Sequence, residues 1–165
     1  MSGLVFKVPQ ELRRGNKRYN EEKSVAQGVE LIQLMCRNFG IADFGKSSLL
    51  DMGCGCKLVQ AVLDRKLPLG RYVGVDVFPV CNPNGEPVSA HARLPTDEHS
   101  FDFICLFSVF THLAPHDYVA MLKMLRRYIK PGGKMIFSLF VNELTPGGHG
   151  HVDKYNRAWE NAPDN

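Results

Sequence analysis

Ser47-Ser48-Leu49-Leu50-Asp51-Met52-Gly53-Cys54-Gly55-Cys56-Lys57 is the stretch that decides the fold. An apolar run ends in an acid, and two glycines follow in G-x-G spacing. Leu58-Val59-Gln60-Ala61-Val62-Leu63 then has the make-up to start a helix. Strand, glycine turn and helix in that order form the nucleotide-binding loop at the first βα junction of an α/β sheet. Glycine serves there because the backbone turns sharply and a ligand must approach without meeting a Cβ. Asp51, at the strand end, would point toward that ligand. Taken alone, the stretch fits a plain strand-to-helix turn equally well.

Three later stretches favour a ligand site. Tyr72-Val73-Gly74-Val75-Asp76 is a second short apolar strand ending in an acid, and Asp76 lies 21 residues beyond Gly55. Acids at about that offset meet ribose hydroxyls in dinucleotide sites. Ser100-Phe101-Asp102-Phe103-Ile104-Cys105-Leu106-Phe107-Ser108 supplies another strand, about Phe101 to Phe107. Lys130-Pro131-Gly132-Gly133 then ends a helix and leads into a last strand, about Lys134 to Val141.

D-x-G-C-G, V-G-V-D, S-F-D-F-I and K-P-G-G-K in this order resemble the class I S-adenosylmethionine-dependent methyltransferases. Phe107-Ser108-Val109-Phe110-Thr111-His112-Leu113 is similar to the segment after the fourth strand in bacterial small-molecule members. The resemblance covers roughly residues 24 to 141. It implies an α/β, Rossmann-like, doubly wound and mostly parallel sheet, with S-adenosylmethionine at the carboxyl ends of the strands. On the matching positions it implies a cofactor site of Asp51, Gly53, Cys54, Gly55, Asp76, Val77, His91, Ala92, Phe107 and Ser108. Asp76 would accept from the ribose diol, and Asp51 would either brace the turn or sit near the amino group. His112, just past a strand, is the candidate catalytic base because imidazole titrates near neutral pH. The implied reaction is methyl transfer to a small molecule, with oxygen as the expected acceptor. A cofactor-binding or scaffold domain without turnover is the alternative.

The chain departs from the family pattern in three places. Lys57 stands where a third glycine would extend G-x-G-x-G. Pro79, Pro83, Gly85 and Pro87 exclude a crossover helix after the second strand. A short strand is expected near Val88 to Ala92, and there the usual adenine-contacting acid aligns with His91. Imidazole does not accept the adenine amino group's hydrogen bond as a carboxylate does. After the last strand, only 24 residues remain for a terminal helix and hairpin, so the sheet should be shortened.

The other helices follow from periodicity. Val25, Val29, Ile32, Cys36 and Phe39 mark one face of a helix over 21–39, with Gly40 as its stop. A helix from about Leu58 to Lys66 should end at Pro68 and Gly70, before a strand from Tyr72 to Val77. Pro115 and Asp117 suit the first turn of a helix in which Tyr118, Met121, Leu122, Leu125 and Ile129 recur. Lys123, Arg126, Arg127 and Lys130 would lie late in it. Residues 1–20 read as an arm or lid, and 21–165 as a single domain.

Composition sets the remaining bounds. With 165 residues, 44% hydrophobic and 22% charged, the chain has an ordinary globular make-up. A net charge of +3 is too small to argue for nucleic acid. No apolar run nears the roughly 20 residues of a membrane helix, and the N-terminus lacks a signal-peptide core. The cytoplasm is therefore the expected compartment. Five cysteines make an odd count without a paired framework, which suggests reduced thiols. Cys54-x-Cys56 with His149 and His151 lacks ordinary zinc spacing, so no metal is expected. The last strand should lie at a sheet edge, with Phe137 and Leu139 on one side. It invites self-association or coverage by residues 150–165.

Overall fold

The computed structural model describes residues 20–76, 91, 93–113 and 115–139. Helix α1 (Glu21–Phe39) starts where Asn20 accepts the Lys23 N–H at 2.9 Å. Glu21 and Glu22 occupy its first turn, where carboxylates meet the positive end of the helix dipole. It stops at Gly40, left-handed at φ 72°, whose N–H returns to the Cys36 carbonyl. Its buried residues are Ser24, Val25, Gly28, Met35 and Phe39, so the stripe facing the protein is rotated from the expected one. Val29, Ile32 and Cys36 are only half-buried. The rotation follows from a close helix contact: a Cβ on Gly28 would lie 2.7 Å from the Ala61 Cβ of the next helix.

That helix is α2 (Lys57–Arg65), between strands β1 (Phe44–Met52) and β2 (Leu69–Val75). Beyond them come β3 (Phe101–Leu106), α3 (Pro115–Leu125) and β4 (Ile129–Phe137). Among the described residues, all the strand pairs are parallel, in the order β2-β1-β3-β4. β1 and β3 are central. The last five residues of β1 and five of the six in β3 are buried, as parallel strands covered on both faces require. Leu50, Met52, Ile104 and Leu106 face the α3 layer with Met121, Met124, Leu125 and Tyr128. Leu49, Phe103 and Cys105 face the other layer with Met35, Phe39, Phe44 and Leu58. The Phe39 ring stacks on Phe103 at 4.4 Å.

Several expected boundaries move. α2 ends at Arg65 with Lys66 left-handed at φ 51°, while Gly70 belongs to β2 instead of stopping the helix. β2 ends at Val75, so Asp76 stands just beyond it. α3 ends at Leu125, and Ile129 opens β4. Lys130-Pro131-Gly132-Gly133 therefore does not precede the strand but lies inside it. The register slips between Phe101 and Phe103, and Gly132 takes φ 77°. A bulge gives Pro131, which has no N–H, a place in a parallel strand. Lys130 is thus a strand residue: its Nζ meets Asp102 Oδ1 at 2.8 Å. Asp102 Oδ2 also accepts the Ser48 N–H at 2.8 Å, and Ser48 Oγ lies 2.7 Å from the same oxygen. Burial opposes the charge on Asp102, but the Lys130 and Ser48 bonds outweigh it and hold the carboxyl at about 2.

At the far end of α1, Lys134 Nζ of β4 donates to the Phe39 carbonyl at 2.7 Å. β4 is the outermost strand on its side among the described residues, and Phe137 and Leu139 are 43% and 46% exposed. No helix among the described residues is long and apolar enough to cross a membrane. Of the arm expected at 1–20 only Asn20 is described, and residues 78–87 and the expected C-terminal loop and helix lie outside the described residues.

Candidate functional site

From β1 the chain winds to β2 on one side, then returns to place β3 on the other. The strand order reverses there, and the crevice at the carboxyl ends of β1 and β3 is where such sheets bind ligands. The glycine turn sits at this crevice. The Gly53 N–H donates to the Val75 carbonyl at 2.7 Å, and the Cys54 N–H to the same oxygen at 3.1 Å. Gly53 has φ 72°, and a Cβ there would strike the Val109 side chain. Glycine is therefore needed twice over, for its backbone angle and for the approach of the segment after β3.

Asp76 closes the turn from the β2 side. Its Oδ2 accepts the Gly55 N–H at 2.7 Å, and the residue is 9% exposed. Among the described residues nothing else hydrogen-bonds to this carboxylate, so its second oxygen is left to another donor. Among the described residues, a Cβ on Gly55 would meet nothing within 4 Å, so they leave space at the turn.

Asp51 is 2% exposed, and its carboxylate is turned across the sheet instead of out of the strand end. Tyr72 Oη donates to Oδ2 at 2.7 Å, and Cys105 Sγ to Oδ1 at 3.4 Å. Burial pushes the carboxyl up to about 6 against the pull of these two bonds, with the Asp76 charge adding to the rise. Burial and the Asp51 charge likewise raise the Tyr72 hydroxyl and the Cys105 thiol.

The segment after β3 is held in an unusual conformation. Ser108 is left-handed at φ 58°, and its N–H donates to Ser138 Oγ at 2.7 Å. Non-glycine residues in that region carry strain, which clusters at functional sites. Phe107 is half-buried against the α1 and α2 layer, and Ser108 is exposed. Phe110–His112 forms a 3₁₀ turn, which places the His112 backbone just beyond this edge.

The structure thus brings Gly53, Cys54, Gly55, Asp76 and the segment after β3 to one crevice, with Asp51 beneath them. His91 lies in an exposed turn. Val77 and Ala92 lie outside the described residues, as do His149 and His151. No cluster of three metal-binding side chains occurs among the described residues. Tyr72, Cys105 and Val109 escaped the sequence reading. The period of two could have found Tyr72, since it places that hydroxyl on the sheet face that carries Asp51.

Residues 21–164 match the family described as "Methyltransferase domain". A curated relative, a stereoselective keto-reductase of Aspergillus fumigatus, is 31% identical over 125 residues. That match spans 72% of this chain but only 11% of the relative's length. Among solved structures, the PH0226 protein of Pyrococcus horikoshii is similar with a TM-score of 0.53 and 19% identity. The likeness covers 92% of this chain and 70% of that one. A Methanococcus maripaludis protein, provisionally assigned as an S-adenosyl-L-methionine-dependent methyltransferase, is similar with a TM-score of 0.51 and 15% identity. There the likeness covers 94% of this chain and 77% of the other. With a parallel sheet reversing at the glycine turn and a family match over all but the first twenty residues and the last, this chain belongs to the class I S-adenosylmethionine-dependent methyltransferases.

Proposed function

We propose that this domain binds S-adenosylmethionine at the β1–β3 crevice and transfers its methyl group to an oxygen of a small-molecule acceptor. The observation that carries this proposal is the buried Asp76 carboxylate, fixed to Gly55 through one oxygen and, among the described residues, open to a donor at the other. A ribose diol supplies such a donor, and the turn beside it has room. Gly53, Cys54 and Gly55 would carry the methionine part along their backbone, with Asp76, Val77, His91, Ala92, Phe107 and Ser108 around the nucleoside. When bound, S-adenosylmethionine supplies an activated methyl carbon and a neutral leaving group. The protein's own work is then alignment and proton removal. His112 would take the acceptor's hydroxyl proton onto its imidazole.

Lys57 at the start of α2, in place of a third glycine, favours a second reading: cofactor binding without turnover. A nicotinamide site, the other use of such a turn, would need glycine at Leu58, which is buried in the core.

Calorimetric titration with S-adenosylmethionine and S-adenosylhomocysteine tests the cofactor. Asp76→Ala should weaken binding by about 1–3 kcal/mol, the cost of leaving buried partners unpaired. Absence of heat and of thermal shift with either ligand would remove the proposal. Single-turnover transfer of labelled methyl to a panel of hydroxyl and amine acceptors tests catalysis. His112→Ala should lower kcat more than it weakens cofactor binding. Undiminished transfer would remove the base assignment, and binding without transfer across the panel would favour the second reading.

A further inference from the structure

One buried cluster has no part in the proposed transfer. The Asp51 carboxylate lies under the glycine turn with both oxygens held by neutral donors, Tyr72 Oη from β2 and Cys105 Sγ from β3. The other ionisable groups around it are also acids. Asp76 acts on Asp51 from the end of β2, and Cys54 acts on Tyr72 and Cys105 from the turn. α1 and α2 cover this face without lending it a cation. Lys57, Glu22 and Lys23 are exposed, and Glu21 is taken by Gln60 at 2.9 Å. Among the described residues, no positive group acts on Asp51. A carboxylate shut away without a counter-ion holds its proton toward neutral pH, and any cation bound nearby favours its release.

We propose that Tyr72 and Cys105 hold Asp51 beneath the glycine turn as a proton-exchanging counter-charge, so that binding of a cationic ligand in the crevice releases a proton from the protein. This rests on the cofactor proposal above. In balance, protonated Asp51 and the free cation become ionised Asp51 and the bound cation, and buffer takes the proton. S-adenosylmethionine carries a sulfonium charge that S-adenosylhomocysteine lacks. The cluster therefore gives the site a pH-dependent preference for the charged ligand over its demethylated product. Tyr72 acts here as a positioning residue, because its hydroxyl is taken up by Asp51.

The test is calorimetry near pH 6 in buffers of different ionisation enthalpy, with the full chain, Asp51→Asn and Tyr72→Phe. For a tenfold rise in the acidity of Asp51 on binding, the native chain should release roughly 0.4 proton per S-adenosylmethionine bound. S-adenosylhomocysteine should release less. Asp51→Asn should bind without this release. Tyr72→Phe removes a bond that favours the charged form, so the pH of maximal release should move upward. A purely structural tyrosine would change affinity and leave that pH in place. Equal release by the native chain and Asp51→Asn would overturn the proposal, as would binding heat without proton release in the native chain. Absence of binding heat from all three proteins would instead remove the cofactor proposal, and this one with it.

Discussion

At Asp51 the folded protein holds a proton more tightly than the unfolded chain, because burial lifts the carboxyl from 3.8 to about 6. The sign is the reverse of the usual carboxylate case. The contribution is fully present below about pH 4 and is lost as pH rises through about 6. That interval corresponds to about 3 kcal/mol at roughly 1.4 kcal/mol per pH unit. Asp102 has the opposite sign: its stabilisation is present above 3.8 and is lost as pH falls through about 2. The two windows do not overlap. Urea unfolding at about pH 7 and about pH 5 should therefore show the native chain gaining stability over Asp51→Asn on acidification. Parallel curves for the two proteins would mean that Asp51 is not held as described. The placement of the glycines and Asp76 was legible in the sequence because it is set by backbone angle and by position at a strand end. The Tyr72 partnership was not, because a tyrosine in an apolar strand reads as filler until the neighbouring strand is placed beside it.

At the scale of elements, the two strands covered on both faces and the capped first helix were the most legible. β1, β3 and α1 are specified by apolar pattern and capping chemistry, and α1 spans the expected 21–39. The passage from α3 to β4 misled for a physical reason. Leu125 and Ile129 are spaced four apart, which suits a helix, yet one closes α3 and the other opens β4. Periodicity cannot tell a continuing helix from a turn that carries the next apolar residue to the same core. Proline and two glycines then suggested a stop where the sheet uses a bulge. The Ser48, Asp102 and Lys130 bonds join β1, β3 and β4 beside that bulge. Ser48→Ala removes the hydroxyl that the Asp102 N–H also uses, at 2.9 Å. It should cost about 1–3 kcal/mol, the range for stranded buried partners. Chemical denaturation measures it, and a change under a few tenths of a kcal/mol would show that water replaces the serine without loss.

For the molecule as a whole, the described sheet has β4 at one edge, with Phe137 and Leu139 exposed beside it. An open strand edge offers its backbone groups to any passing strand. We expect a second copy, or the chain's own residues 140–165, to take that place. Sedimentation velocity separates the two. Mass that rises with concentration, and falls back to one chain in Leu139→Lys, supports pairing between copies. A single one-chain species at every concentration supports cover from within.

The lysine bond at the far end of α1 bears on how the protein is made. Lys134 reaches back 95 residues to the Phe39 carbonyl. The Phe39 ring also rests on Phe103, which is synthesised long after it. On the ribosome, α1 can meet α2 early, but the β3 and β4 groups that close over its Phe39 end emerge much later. Phe39 gains its stacked partner only when β3 appears, and its carbonyl gains the lysine only when β4 follows. Contacts so distant in sequence are slow to close and leave apolar surface waiting in the meantime. During translation, the Phe39 end of α1 therefore settles late, and one face of its ring stays open to a chaperone until β3 arrives.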